Sequence, residues 1–182
     1  MRRVNAIITV IMMVLFLLHA VTGALQISNI NPTLYMVTTI AAGALLLVMA
    51  VHIVIGCILT AKSLRACKRA GVSYFKENLM FWTGRISGLA IIIFMLIHIF
   101  IFIGDFSDGT YRLNYFGIAE LITQLCLVLS IAIHVFTQVR SSMIALGKKS
   151  YKKYMADILI IFSVLLVFFG IAFFIYYLRW LG

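Results

Sequence analysis

Near the start of the chain, residues 4–61 contain no Asp, Glu, Lys or Arg, so no acidic or basic charge lies between Arg3 and Lys62. A helix crosses the hydrocarbon core of a bilayer in about 20 residues, so this stretch is too long for one span. It is interrupted at 28–32, where asparagine and the only proline of the chain mark a turn. Backbone groups in lipid must be hydrogen-bonded within the segment, which favours helices over strands. The stretch therefore predicts two transmembrane helices, at about 4–25 and 35–60.

Three further apolar segments follow, at about 81–104, 115–139 and 158–180. Hydrophobic residues make up 64% of the 182 residues, whereas roughly half of a soluble domain is apolar. The apolar run after the first three residues is longer than the about 7–15 residues of a signal-peptide core, so we interpret it as a retained helix. We expect residues 1–182 to form one all-α integral membrane domain, a bundle of five transmembrane helices.

Basic residues are concentrated on one side of this predicted bundle. Thirteen of the fifteen lie before the first helix, around the connection of the second and third helices, or between the fourth and fifth. Only Arg112 and Arg179 lie on the other side. Because cytoplasmic loops of membrane proteins are enriched in Lys and Arg, we expect a cytoplasmic N-terminus and a C-terminus outside.

The net charge of +10 follows from this asymmetry and does not indicate a nucleic-acid-binding protein. A basic cytoplasmic face suits anionic lipid or an acidic protein partner, and topology alone explains it equally well. The three cysteines, Cys57, Cys67 and Cys126, form no C-x-x-C-H motif for covalent haem attachment and no readable disulfide framework.

Histidine occurs four times, once in each of the first four predicted helices, as His19, His52, His98 and His134. A polar side chain inside a bilayer costs free energy unless it has a partner. At a rise of about 1.5 Å per residue, His19 and His98 lie about 9 and 10 Å from the outer face. By the same measure, His52 and His134 lie about 15 and 9 Å from the inner face. Depth therefore predicts an outer pair, His19 with His98, and an inner pair, His52 with His134.

Two such pairs match the requirements of two haem b groups. Each haem needs two neutral imidazoles facing each other across one plane, and each imidazole is held through its other nitrogen. A single histidine in a span is more often a group that hydrogen-bonds one helix to another, and a proton relay is a further alternative. Four histidines, one per helix and matched in depth, favour ligation of haem iron by His19 and His98 in an outer site and by His52 and His134 in an inner site.

The start of the third helix resembles a known family. Residues 81–88 read Phe-Trp-Thr-Gly-Arg-Ile-Ser-Gly and are followed by an apolar run to His98. This resembles the R-I-[ST]-G…H element of the cytochrome b subunits of succinate dehydrogenase and fumarate reductase. His52-x-x-x-Gly56, followed by residues 60–62, is similar to the same family. The resemblance covers about four helices in order and is closest to the single-chain, five-helix, two-haem type.

The resemblance implies a membrane anchor for an FAD-containing flavoprotein and an iron–sulfur protein, docked on the cytoplasmic face of a bacterial or archaeal cytoplasmic membrane. It implies electron transfer between these partners and a quinone, usually menaquinone, with the dicarboxylate bound by a partner subunit. The family's haem pairs fall on the same four histidines, paired as depth predicts. Arg85 would lie near the inner haem's propionates or the docked iron–sulfur protein, where a guanidinium suits a carboxylate. A flanking positive-inside charge is the alternative for Arg85.

Glu120 is the only acidic residue inside a predicted span, one to two turns below the outer surface and near the outer pair. Quinone chemistry moves protons together with electrons, so a carboxyl near a haem is a candidate proton donor or acceptor. We expect Glu120 to serve an outer quinone site. The alternatives for its carboxyl are extension to the interface and pairing with Arg112.

Two other functions compete with the succinate:quinone oxidoreductase anchor. One is the cytochrome b of another respiratory enzyme, such as a hydrogenase or nitrate reductase, although those proteins tend to use one helix for two ligands. The other is a haem-free proton channel or transporter with a histidine relay, which typically shows broken helices or several buried charges. The uninterrupted, nearly charge-free spans of this chain favour the first function.

Overall fold

Five long helices make up most of the computed structural model. The helices are α1 (Arg2–Ile27), α2 (Tyr35–Arg69), α3 (Leu79–Phe102), α4 (Ile118–Ala145) and α5 (Tyr151–Leu181). All five are long and apolar enough to cross a membrane, which confirms the prediction of a multi-pass, helical membrane protein. The structure describes residues 1–28, 30, 32–72, 79–103, 105–107, 110–112, 115–147 and 151–181.

Two connections contain short regular structure. A 3-10 turn at Pro32–Leu34 precedes α2, where asparagine and proline predicted a break between the first two helices. Between α3 and α4 lies an antiparallel hairpin of two strands, β1 (Asp105–Ser107) and β2 (Thr110–Arg112). The sequence interpretation treated this segment as a plain loop.

Several helices differ from their predicted bounds. The prediction ended the second helix at 60, where apolar residues give way to basic ones, but α2 continues to Arg69. The fourth helix likewise continues to Ala145 rather than 139. Hydropathy marks where a helix leaves the membrane, whereas the helix itself ends where a residue can adopt a left-handed conformation. Gly71 (φ 67°) follows α2 and Gly147 (φ 77°) follows α4, as expected for glycine beyond a helix C-terminus.

The helices pack in a defined order. Close backbone contacts join α1 to α2, α3 to α4, and α4 to α5, and α1 also packs on α4 and α5. In the described part of the chain, α1 with α3 and α2 with α4 are not among the closely packed pairs. These are the two helix pairs that carry the paired histidines.

Two apolar clusters hold the bundle together. The larger one joins α5 to α1 and α4 through Phe162, Leu166, Phe169 and Ala24. The smaller one surrounds Phe116 and Leu121 at the start of α4. The histidine-free α5 therefore has a packing role in the bundle. Many large apolar side chains elsewhere remain exposed, as expected of helices that face lipid.

Contacts at the helix ends fix which termini lie together. Lys62 Nζ lies 3.3 Å from Met1 Sδ, so the start of α1 lies beside the basic part of α2. At the opposite end, Arg179 Nη1 donates a hydrogen bond to the carbonyl oxygen of Ile27 at 3.2 Å. Three basic residues of the predicted cytoplasmic loops, Lys76, Lys148 and Lys149, lie outside the described residues.

Candidate functional site

The outer pair consists of His19 on α1 and His98 on α3. Their ring centroids lie 6.1 Å apart and the ring planes are nearly perpendicular, at 85°. The two side chains meet although α1 and α3 do not pack closely. The pair is the one predicted from depth, and its role as a haem ligand set stays a prediction.

The inner pair consists of His52 on α2 and His134 on α4. Here the ring centroids lie 6.5 Å apart and the planes are inclined at 84°. The two pairs thus have almost the same internal geometry, although they come from four different helices. This pairing also matches the one predicted from depth.

In the outer pair, the Nδ1 atom of each ring faces an oxygen acceptor. His19 Nδ1 lies 3.2 Å from the carbonyl oxygen of Thr38, and His98 Nδ1 lies 2.7 Å from Gln124 Oε1. A carbonyl oxygen only accepts hydrogen bonds, so Nδ1 carries the proton and donates it. In a neutral imidazole the other nitrogen, Nε2, then keeps a free lone pair.

The inner pair follows the same pattern. His134 Nδ1 lies 3.0 Å from the carbonyl oxygen of Gly84 and 3.3 Å from Ser87 Oγ. His52 Nδ1 lies 3.5 Å from Thr9 Oγ1, whose hydroxyl donates to the carbonyl oxygen of its own helix at residue 5. Because that hydroxyl uses its proton elsewhere, it can accept from His52. All four histidines therefore have Nδ1 engaged and Nε2 available as a ligand atom.

Aromatic side chains enclose the outer pair more tightly than the helices alone would. The His98 ring lies 4.7 Å from the ring of Phe102, one turn further along α3, and 6.4 Å from Phe173 on α5. All four histidines are nevertheless only partly covered by protein atoms. Each histidine is thus neither fully buried nor fully exposed.

Two glycines lie close to the inner pair. A Cβ atom built on Gly88 would lie 3.2 Å from Cε1 of His134, which is tighter than an ordinary contact. A Cβ on Gly84 would collide with the side-chain amide of Gln138. The glycines of the 81–88 segment therefore let α3 approach α4 at the depth of His134.

Arg85 lies beside the inner pair and on the basic side of the bundle. Its guanidinium carbon lies 4.8 Å from the centroid of the Phe81 ring, within the range of a cation–π contact. Its Nη1 atom would lie 3.6 Å from a Cβ built on Gly56, one turn beyond His52. The structure thus brings Arg85 near the turn that follows an inner histidine. It does not show a haem propionate or partner contact for this residue.

Glu120 occupies the first turn of α4, where it caps the helix. The backbone N–H of Gly117 donates a hydrogen bond to Glu120 Oε2 at 2.9 Å, and an acidic side chain at this position also suits the helix dipole. Glu120 also lines a cavity of about 300 Å³. Its other walls are Ile97, Phe100, Ile101, Ile103 and Tyr115. Glu120 therefore has a structural role that the sequence interpretation missed, and its proposed role in proton transfer stays a prediction.

Sequence reasoning also missed the residues that hold the histidines. Gln124 is an amide inside a predicted span. At about 1.5 Å per residue it lies about 15 Å from His134 along the helix, at the depth of His98. That signal was available but was not used. Ser87 lies in the motif that carries the family resemblance. Thr9 and the Thr38 carbonyl had no comparable signal, because their contacts depend on the rotation of α1 and α2.

The four histidines are grouped as two pairs. Within the described ranges, His, Cys, Asp and Glu form no group of three or more that could hold a metal ion. The outer pair and the inner pair each supply two imidazoles with Nδ1 protonated, which is the ligand set of a haem with two histidine ligands. Comparisons of the chain with protein-family models, curated proteins and solved structures find no match.

Proposed function

We propose that the protein is the di-haem cytochrome b membrane anchor of a succinate:quinone oxidoreductase, either a succinate dehydrogenase or a quinol:fumarate reductase. In this function, His19 and His98 bind an outer haem b, and His52 and His134 bind an inner haem b. The observation that carries the proposal is the spacing of the two histidine pairs. The choice of this enzyme class among respiratory cytochromes rests on the resemblance of the third and second helices.

The spacing suits two imidazoles that share one metal. A metal–imidazole bond is about 2 Å long in well-studied zinc sites. Since a ring centre lies about 1 Å behind its coordinating nitrogen, two opposed imidazoles have centroids roughly 6 Å apart. The observed separations are 6.1 Å and 6.5 Å. Each pair would thus hold one haem through its two imidazoles.

The hydrogen bonds support the same function. Histidine ligands usually donate their second N–H to a carbonyl, carboxylate or hydroxyl, which fixes the tautomer and raises the basicity of the ligand nitrogen. Each of the four rings has such an acceptor at Nδ1. The helices of each pair, α1 with α3 and α2 with α4, are not closely packed in the described part of the chain, which is compatible with a group between the paired rings.

Haem b, when bound, supplies a one-electron carrier. The chain's own contribution is to hold two such carriers at different depths, to keep the ligand tautomers fixed and to surround the outer site with apolar side chains. The electron partners proposed here are an iron–sulfur subunit next to an FAD-containing flavoprotein on the cytoplasmic side, and menaquinone or another quinone within the membrane. The dicarboxylate site would lie on a partner subunit.

The proposed orientation has the N-terminus in the cytoplasm of a bacterium or archaeon and the C-terminus outside. The contact of Met1 with Lys62 and that of Arg179 with Ile27 lie at opposite ends of the bundle, in agreement with the sorting of charges. The exposed basic residues at the Met1 end supply a surface for the acidic partner or for anionic lipid. Arg85 lies towards this end and is proposed to contact an inner haem propionate or the partner.

The cavity beside Glu120 is the proposed quinone site. Its lining residues are aliphatic and aromatic apart from Glu120, and pockets that combine apolar walls with a few polar groups suit a ring with polar oxygens. Glu120 lies one turn before Gln124, which contacts the outer histidine His98. The Glu120 carboxyl would exchange protons with the quinone, while the first turn of α4 keeps the main chain of Glu120 in place.

Haem content tests the function directly. The protein purified from membranes should show a reduced-minus-oxidised band of b type and two haems per polypeptide. The variant with all four histidines replaced by alanine should show none. Absence of a b-type band in the wild-type protein, or haem retained by the quadruple variant, would overturn the proposal and favour a haem-free histidine relay. Co-purification of flavin and iron–sulfur proteins with succinate or fumarate activity separates the proposed enzyme from other respiratory cytochromes.

A further inference from the structure

Gln124 is a polar side chain buried completely among apolar neighbours of the outer pair. Its exposed fraction is 0%. A buried amide is costly unless its donors and acceptor are paired. Its Oε1 lies 2.7 Å from His98 Nδ1, the shortest of the contacts made by the four histidines. The burial of Gln124 is therefore compensated chiefly by its contact with His98.

The orientation of this amide is set by the preceding turn of α4. Gln124 Nε2 donates to Thr123 Oγ1 at 3.3 Å, and the Thr123 hydroxyl in turn donates to the carbonyl oxygen of Glu120 at 2.7 Å. Since the hydroxyl proton is used towards Glu120, Thr123 accepts from the amide nitrogen. The amide oxygen is then left to face His98, which must donate from Nδ1.

The acceptor of His98 differs in kind from those of the other histidines. His19 and His134 donate to backbone carbonyls, which no substitution removes. His52 faces a hydroxyl at 3.5 Å, a longer contact. Only the outer pair contains a ring held by a side-chain amide at short distance. The strength of that hydrogen bond can therefore be changed without moving the backbone.

We propose that Gln124 is the positioning residue of the outer haem site, which fixes the tautomer of His98 and, through His98, sets the reduction potential of the outer haem. This inference rests on the proposed function. A hydrogen bond from Nδ1 to an acceptor increases the electron density at Nε2 and so stabilises the oxidised iron. Hydrogen bonding beyond the ligands and burial are among the means by which a protein tunes a haem potential.

The experiment uses the full chain in membranes or purified with its partners. Redox titration and low-temperature electron paramagnetic resonance are carried out on wild type, on Gln124→Leu, which removes the acceptor, and on Gln124→Glu, which changes it. Ser130→Ala is the matched control, because Ser130 is also buried on α4 (8% exposed) but, among the residues that the structure describes, bonds only to the Cys126 carbonyl. Each variant is also combined with His52→Ala, which should remove the inner haem so that the outer haem can be observed by itself.

With Gln124→Leu, the outer haem should titrate at a higher potential and its resonance position should shift, or that haem alone should be lost. Gln124→Glu should shift the outer potential in either protonation state. An ionised carboxylate is a stronger acceptor than an amide and lowers the potential, whereas the carbonyl of a neutral acid is a weaker acceptor and raises it. The inner haem should keep its wild-type midpoint throughout, and Ser130→Ala should match wild type for both haems.

The outcomes separate this inference from the proposed function. If wild type binds no haem, the function itself fails. If wild type binds two haems but the outer midpoint and resonance are unchanged in Gln124→Glu, the inference alone is overturned. An equal shift of both haems, or a shift in Ser130→Ala, also overturns it, since that result would indicate a general loosening of α4. Where Gln124→Leu does not accumulate, the result with Gln124→Glu decides.

Discussion

A Cβ atom on Gly88 would lie 3.2 Å from Cε1 of His134, so the main chain of α3 packs directly against the ring of an inner histidine. The ring is held on one edge by this contact and at Nδ1 by the Gly84 carbonyl, one turn earlier on the same helix. One face of α3 thus both limits the position of the ring and accepts its proton.

Gly88→Ala should disturb the inner haem and leave the outer one intact. The added methyl group must displace the His134 ring by a few tenths of an ångström, and overpacking of this kind typically costs about 1–3 kcal/mol. We expect less inner haem per polypeptide, or an altered electron paramagnetic resonance of that haem, in protein that is otherwise stable. Gly43→Ala is the control, because a Cβ there meets nothing within 4 Å. It should be neutral or stabilise the helix by roughly 0.5–1 kcal/mol. Equal spectra for Gly88→Ala and wild type would contradict the packing argument.

Single alanine substitutions of the histidines should fall into two classes. His19→Ala and His98→Ala should remove or alter the same haem, and His52→Ala and His134→Ala the other, because each haem loses one of two iron ligands. Electron paramagnetic resonance and redox titration should show one low-spin haem left in each variant. Val54→Ala is a control on the exposed face of α2, two residues from His52. A result in which His19→Ala and His52→Ala affect the same haem would refute the pairing.

Thr9→Val should weaken the inner site more mildly than loss of a ligand. Valine keeps the shape of threonine but removes the hydroxyl that lies 3.5 Å from His52 Nδ1. A typical hydrogen bond contributes about 0.5–1.5 kcal/mol, and second-sphere partners of ligands commonly affect affinity about 10- to 100-fold. We expect a lower retention of the inner haem on detergent washing, restored by Thr9→Ser. If Thr9→Ser behaves like Thr9→Val, the hydroxyl has no part in holding His52.

Glu120→Gln should slow quinone turnover while leaving both haem spectra as in wild type. The glutamine still offers an oxygen to the Gly117 N–H, so the start of α4 is preserved, but it cannot exchange a proton with a quinone. Glu120→Ala should in addition lose the cap, at a cost of about 0.5–2 kcal/mol in stability. Turnover of a menaquinone analogue measured on the assembled complex distinguishes the two effects. Unchanged turnover in Glu120→Gln would remove the carboxyl from the mechanism and leave it the capping role alone.

Much of the fold could be predicted because a membrane imposes one-dimensional rules on a sequence. The lack of charge between Arg3 and Lys62 required two spans, and the Asn and Pro residues between them marked the break. The helix ends were less predictable: α2 continues to Arg69 because a helix leaving the membrane can go on in water until a residue such as Gly71 ends it.

The pairing of the histidines could also be predicted, since depth along a straight helix follows from residue number and direction alone. His19 with His98, and His52 with His134, required no knowledge of how the helices rotate or which ones touch. Predicting which groups hold each ring would have required knowing both how the helices rotate and which ones touch. The contact of His98 with Gln124, that of His52 with Thr9, and the position of Phe173 beside His98 depend on rotation about the helix axes.

The sequence by itself therefore determined the spans, their alternating direction and the depth of each histidine, because hydropathy and charge act on each segment independently. Only the tertiary structure decided which acceptor faces each Nδ1, that Glu120 caps α4, and that α1 packs closely on α2 but not on α3 in the described part of the chain. Those features arise from side chains of distant segments meeting at contact distance. Such contacts are set by the packing of whole helices, which no single segment encodes.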